Sequence, residues 1–229
     1  MSDHEPSEPT AGIPLEASVD ELRRRREAVG RLQGGSTHYE EELGIFRDYA
    51  AESGITLPHP PPELSRPPDE EGNEHQVWFD NESCTYLKAT WPGFYGLQVI
   101  HRHDEEAKAS PIAYLERWLL HNEMFGDQVQ FVGVLGRAAQ MRLLIRQPAI
   151  KGIPATAEQI EEFFTGNGWR RFTTGGEVAF FDPGRNVAVS DTHRGNLILM
   201  DDGMLAPIDL RVQALSGALL DIVVKLCGS

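Results

Sequence analysis

Six of the twelve residues from Leu57 to Pro68 are proline. Such a run cannot continue a helix or fill a central strand, because proline fixes φ and has no backbone N–H to donate. It reads as a stiff extended linker over residues 57–71 and divides the chain into unlike parts. Ahead of it, residues 1–16 are acidic and rich in Pro and Ser, the composition of a disordered tail. A helical appendage follows over residues 17–56. Ser18 and Glu21 have the spacing of a capping box for a helix running to about Leu32 and stopped by Gly34-Gly35. A second helix spans His38 to Glu52 and stops at Gly54. The reading adopted for these helices is that they dock on the domain beyond the linker and complete its core.

The chain has 229 residues and a net charge of −14, most of it in the N-terminal third. Nucleic-acid binding is not expected, because phosphate contacts need a basic surface. The one basic run, Arg23–Arg26, lies among Asp20, Glu21 and Glu27 and reads as a solvated, internally paired helix face. No apolar run reaches the ~20 residues that span a bilayer, and no secretion signal opens the chain, so a cytoplasmic protein without membrane contact is expected. Cys84 and Cys227 have no metal-like spacing.

From about Gly72 the pattern turns to strands. Residues 75–80 and 85–90 make a hairpin around Asn81-Glu82-Ser83. By period-two alternation Tyr86, Lys88 and Thr90 share one face of the second strand, with Leu87 and Ala89 on the other. Ser110-Pro111 opens a helix closed by Gly126. Its apolar stripe (Ile112, Leu115, Leu119, Leu120) carries two carboxylates, Glu116 and Glu123, on or beside the inward face. There they need a cation or an outlet to water. Strands over 129–135 and 141–146 form a second hairpin. Thr156 and Gln159 cap a helix over 157–166, and a strand over 178–181 turns at Asp182-Pro-Gly184.

The densest chemistry comes next. Ser190-Asp-Thr-His-Arg-Gly-Asn196 lies between strand-like segments, and the turn Asp201-Asp202-Gly203 folds the chain back so that Asn196 approaches Asp209. An Asp, an Asn and a second Asp so arranged meet the needs of phosphoryl transfer from ATP. Asp191 can hold and deprotonate a hydroxyl, while Asn196 and Asp209 can hold Mg²⁺ against the phosphates. Without a second His or Cys at ligand spacing, His193 does not read as part of a zinc site.

Asp-x-His-x-Gly-Asn followed by Ile208-Asp-Leu210 resembles the catalytic loop and metal motif of protein-kinase-like enzymes. The order of Val77-Trp-Phe-Asp80, Tyr86-Leu-Lys-Ala-Thr90, Pro92-Gly-Phe-Tyr-Gly96, Tyr114-Leu-Glu-Arg117, His121–Asp127 and Gln147-Pro148 is similar to the small kinase-like domain of polyvalent proteins, multi-domain proteins of phages and mobile elements. The resemblance covers roughly residues 72–229. It implies an α+β, minimal bilobal fold with a β-rich N-lobe (about 72–146), a hinge (about 147–152) and a reduced C-lobe (about 153–229), preceded by the N-terminal helices. It implies Lys88 as phosphate ligand, although a solvated strand lysine is the reading from that segment alone. Glu116 or Glu123 would orient Lys88, with Glu116 slightly favoured. The hinge, including Gln147 and Ile150, would meet adenine through its backbone, and His193 would brace the catalytic loop.

The sequence also departs from the pattern. No Gly-x-Gly-x-x-Gly precedes Lys88, Ser190 stands where Arg or Gly is usual, and only twenty residues follow Asp209. An activation segment and a large helical base do not fit in that space. The expected function is an ATP- and Mg²⁺-dependent kinase acting on a hydroxyl of a protein or small-molecule acceptor. An inactive kinase-like scaffold and an AMP transferase are the alternatives.

Overall fold

The computed structural model describes residues 14–33, 38–102, 107–137 and 140–228. Helices α1 (Leu15–Gln33) and α2 (Tyr39–Glu52) come first, then a 3₁₀ turn at Pro62–Ser65. Strands β1 (Glu70–Glu71), β2 (His75–Asp80) and β3 (Thr85–Thr90), helix α3 (Pro111–Phe125), and strands β4 (Gln130–Leu135) and β5 (Arg142–Pro148) follow. The five strands form one antiparallel sheet in the order β1-β2-β3-β5-β4. The chain continues through β6 (Ile153–Pro154), α4 (Ala157–Gly166), β7 (Arg170–Thr174), β8 (Glu177–Asp182) and β9 (Val187–Ser190). It ends with β10 (Leu197–Leu199), β11 (Leu205–Pro207), β12 (Arg211–Ala214) and α5 (Gly217–Cys227). These strands make a three-stranded sheet, β11-β10-β6, and a four-stranded one, β12-β9-β8-β7.

Helix α1 starts one turn before the predicted cap. The Pro14 carbonyl accepts from Ser18 N at 3.2 Å, which puts Ser18 inside the helix. Its hydroxyl accepts from Tyr49 Oη at 3.0 Å. The expected Ser18–Glu21 box is therefore not formed, and Glu21 takes Arg24 and Arg25 at 2.7 Å each. The predicted stop at Gly34-Gly35 and the tail up to Ile13 lie outside the described residues. Helix α2 begins at an N-cap, His38, in a capping box with Glu41.

Both helices pack on α3. Leu15, Val19 and Leu22 of α1 and Phe46 and Tyr49 of α2 share a core with Ile112, Leu115 and Trp118 of α3 and with Phe131, Leu143 and Ile145 of the sheet. The docking anticipated for the N-terminal helices is what the structure contains. Two of the four consecutive arginines do not form the solvated face expected of them: Arg23 and Arg26 turn toward Glu116 on α3.

The proline-rich segment is no free spacer. Leu57 N donates to Val134 O, and Val134 N to Ile55 O, both at 2.9 Å. Glu63 accepts from Arg146 at 2.6 Å, and the Arg66 carbonyl from Trp78 Nε1 at 3.0 Å. Leu57 and Leu64 cover the apolar outer face made by Trp78, Leu87, Ala89 and Leu144. The prolines keep the strap extended, and burial of that face holds it down.

In the second half, Phe164 of α4 stacks on Phe180 of β8 with ring centroids 4.4 Å apart. Several elements here were not anticipated, β6 (Ile153–Pro154) among them. Strand β7 pairs with β8, and the tail after Asp209 forms β12, paired with β9, and α5, whose Val223 is buried with Phe172 and Phe181.

Candidate active site

The loop from β9 to β10 carries Asp191 and Asn196, and the turn after β11 carries Asp209. The register of β10 with β11 (Leu197 opposite Pro207) puts Asn196 beside Ile208, whose N–H donates to the Asn196 carbonyl at 2.9 Å. The buried Asn196 amide then donates to the Asp191 carbonyl at 2.9 Å and to the Asp209 carbonyl at 3.2 Å. One side chain thus ties the two acidic segments together through its amide nitrogen. Asp191 has φ +61°, a left-handed conformation that Asp tolerates better than most residues but still at some cost. His193 accepts from Gly195 N at 3.0 Å, with its other ring nitrogen 3.4 Å from Asp191 Oδ1.

Asp209 meets two cations. Lys88 Nζ, buried on β3, lies 3.4 Å from Oδ2, and the buried Arg117 of α3 reaches Oδ1 at 3.0 Å. Burial alone would raise the Asp209 pKa, but Lys88, with His75 and Arg117, holds it well below the usual carboxylate range. Arg117 also donates from Nε to the Leu210 carbonyl at 2.8 Å and from Nη1 to Glu74 Oε2 at 2.5 Å. Glu74 accepts in turn from Arg211 at 3.2 Å. Arg211 then reaches Asp191 Oδ2 at 3.5 Å and Glu177 at 3.2 Å. The result is a ladder, Lys88–Asp209–Arg117–Glu74–Arg211–Asp191, in which cations and carboxylates alternate. Asp191, at its end, has a raised pKa because burial outweighs the opposing pull of Arg211.

Lys88, Asp191, Asn196 and Asp209 therefore come together, with His193 alongside. The two helix glutamates do not join them. Glu116 accepts from Arg23 at 2.9 Å and from Arg26 at 2.8 and 3.0 Å, on the α1 side, and Glu123 is exposed. Neighbouring helix residues point about 100° apart. The α3 face toward the site is thus Tyr114, Arg117 and His121, with the Trp118 ring 5.2 Å from Lys88 Nζ. Gln147 is buried, and its amide donates to Asp127 Oδ2 at 2.5 Å and to the Ile208 carbonyl at 2.7 Å. Ile150 lies half-buried just past β5.

Glu74, Arg117 and Arg211 were missed in the sequence. Arg117 left a usable signal, the one arginine or lysine on a helix whose other residues are mostly apolar. Glu74 and Arg211 left none, being polar residues beside a turn and a motif.

The sequence model of a family described as serine/threonine/tyrosine kinases found in polyvalent proteins matches residues 39–214. The chain belongs to this kinase family. The match reaches back through the proline-rich strap and α2, well before residue 72 where the resemblance had been set, while α1 lies outside it. No curated protein and no solved structure matches the kinase chain. Among the described residues of this kinase, no helix is long and apolar enough to cross a membrane. No group of three or more His, Cys, Asp or Glu residues among them is arranged to hold a metal. Asn196 and Asp209 could supply two hard oxygen donors to a Mg²⁺ ion held jointly with a nucleotide's phosphates, Asp209 only in exchange for its ion pair with Lys88.

Proposed function

We propose that this kinase transfers the γ-phosphoryl group of ATP to a hydroxyl of a protein or small-molecule acceptor, using Mg²⁺ at Asn196 and Asp209. The observation that carries this reading is the convergence of Lys88 on Asp209 beside Asn196. In this reading the five-stranded sheet with α3 is the N-terminal lobe, and residues 147–152 join it to a reduced second lobe. Adenine would meet the backbone of that connection, because the Gln147 side chain is committed internally.

Arg117 is fixed on three sides and retains Asp209 Oδ1. Oδ2 is then the oxygen left for a metal once Lys88 moves its ammonium from Asp209 to the nucleotide phosphates. Bound Mg²⁺ would neutralise charge developing on the phosphates. Asp191 accepts the proton as the acceptor oxygen bonds to the γ-phosphorus and the bond to the β,γ-bridging oxygen breaks, releasing ADP. Its raised pKa makes it a stronger base than an exposed carboxylate.

Calorimetric titration with a non-hydrolysable ATP analogue tests the reading. Wild type should bind more tightly with Mg²⁺ than without, and Asp209→Asn should lose that difference and at least ~10³-fold in turnover. Asp209→Asn is preferable to Asp209→Ala, which would also remove packing between Lys88 and Arg117. Equal binding with and without metal in wild type would sink the proposal. A mass gain of one phosphate on the product, rather than of AMP, fixes the reaction type.

A further inference from the structure

We infer that Glu74 is a positioning residue for this reaction: through Arg117 and Arg211 it sets where Asp209 and Asp191 stand. The inference rests on the kinase reading above. Glu74 belongs to the turn before β2, and its backbone is held on both sides. Gly72 N donates to His75 O at 2.8 Å, Trp91 N to Glu74 O at 3.3 Å, and Trp91 Nε1 to Gly72 O at 3.0 Å. The carboxylate is buried, with each oxygen given to a different arginine, Oε2 to Arg117 and Oε1 to Arg211. Those arginines come from elements far apart in sequence, and each touches one acidic residue of the site, Arg117 at Asp209 and Arg211 at Asp191. Among the described residues no other carboxylate contacts both. Gly96 closes the pocket from behind. A Cβ built on it would lie 2.7 Å from Glu74 Oε2 and 2.9 Å from Oε1, so a side chain there would displace the carboxylate.

Without Glu74, Arg117 and Arg211 would each have one carboxylate fewer and would bind Asp209 and Asp191 more closely. The metal-binding oxygen and the base would then be drawn into ion pairs and away from nucleotide and acceptor. Partners that orient metal-binding groups in this way are worth about 10–100-fold in affinity or activity.

The test compares wild type, Glu74→Gln and Gly96→Ala by calorimetric titration with a non-hydrolysable ATP analogue, with and without Mg²⁺. Thermal unfolding shows that each sample is folded. The gain in affinity on adding Mg²⁺ should fall by about tenfold in Glu74→Gln and several-fold in Gly96→Ala, with metal-free affinity within about twofold of wild type. Gly96→Ala keeps every charge and drives a Cβ against the carboxylate, at the cost of a strained backbone at φ +84°, and it carries the test, once shown to be folded, if Glu74→Gln does not fold. A folded variant of either kind with an unchanged Mg²⁺ gain overturns the inference, as does an equal loss with and without metal. A loss in Glu74→Gln alone would mean that charge acts through space, and positioning would be wrong. A wild-type chain indifferent to Mg²⁺ would sink the kinase reading itself, and the inference with it.

Discussion

Beside Glu74 lies a residue whose burial has a measurable cost. His75 is buried against Tyr114, with Nε2 2.9 Å from the phenol oxygen, and burial lowers its pKa from 6.5 to about 4. Between those values the unfolded chain binds a proton that the folded chain does not. Stability therefore rises with pH across this window and is lost as pH falls from 6.5 toward 4, by up to about 3 kcal/mol for this one group. Urea unfolding at pH 7 and pH 5 should show the loss, and His75→Gln should shrink the difference between the two. A midpoint that does not change between those pH values would refute it. At the same scale, the site was half legible in the sequence. Asp191, Asn196 and Asp209 stand within one local motif, and the turn at Asp201–Gly203 brings two of them together whatever the rest of the chain does. Lys88 could be placed on a face of its strand by alternation alone. The rest of the ladder could not be read, because Glu74 and Arg211 join Asp209 and Asp191 only through the tertiary fold.

Among the elements, α3 shows why. Its cap, first-turn proline and closing glycine are local features, and its bounds could be read from them. Which face meets β3 is decided by what lies on the other side, and that is α1. Glu116 is taken by Arg23 and Arg26, so α3 presents Arg117 to Asp209 and the Trp118 ring, not a glutamate, to Lys88. The periodicity of α3 gave no warning, since eight of its residues are buried and the helix has no wet face to orient it. Glu116→Ala should leave the two arginines without their shared partner and cost about 1–3 kcal/mol, visible as a lower unfolding temperature. Because Glu116 lies apart from the site, nucleotide affinity should stay within about threefold, less than 1 kcal/mol. A large loss of binding at unchanged stability would restore Glu116 as a partner of Lys88. Strand β7 and the β12–α5 tail escaped the sequence reading because their patterns are short and only pairing with β8 and β9 defines them.

For the whole molecule, the family match starts at Tyr39, yet the core does not. Leu15, Val19 and Leu22 are buried in the same cluster as Trp118 and Phe131. Each such side chain is worth about 1.5–3 kcal/mol when fully buried. A chain starting at His38 should therefore melt at a clearly lower temperature and bind a hydrophobic dye. Unchanged melting would show that α1 only rests on the surface. The strap bears on partners as well. The five-stranded sheet ends at β1 and β4, and the segment between α2 and β2 attends to both ends: Ile55 and Leu57 occupy the main-chain groups of Val134 on β4, and the far edge is two glutamates long. Short, charged or covered edges resist strand addition. The edges of the sheet that carries Lys88 are thereby poor templates for intermolecular β-pairing, at Val134 because they are covered and at β1 because they are short and charged, which disfavours edge-to-edge aggregation.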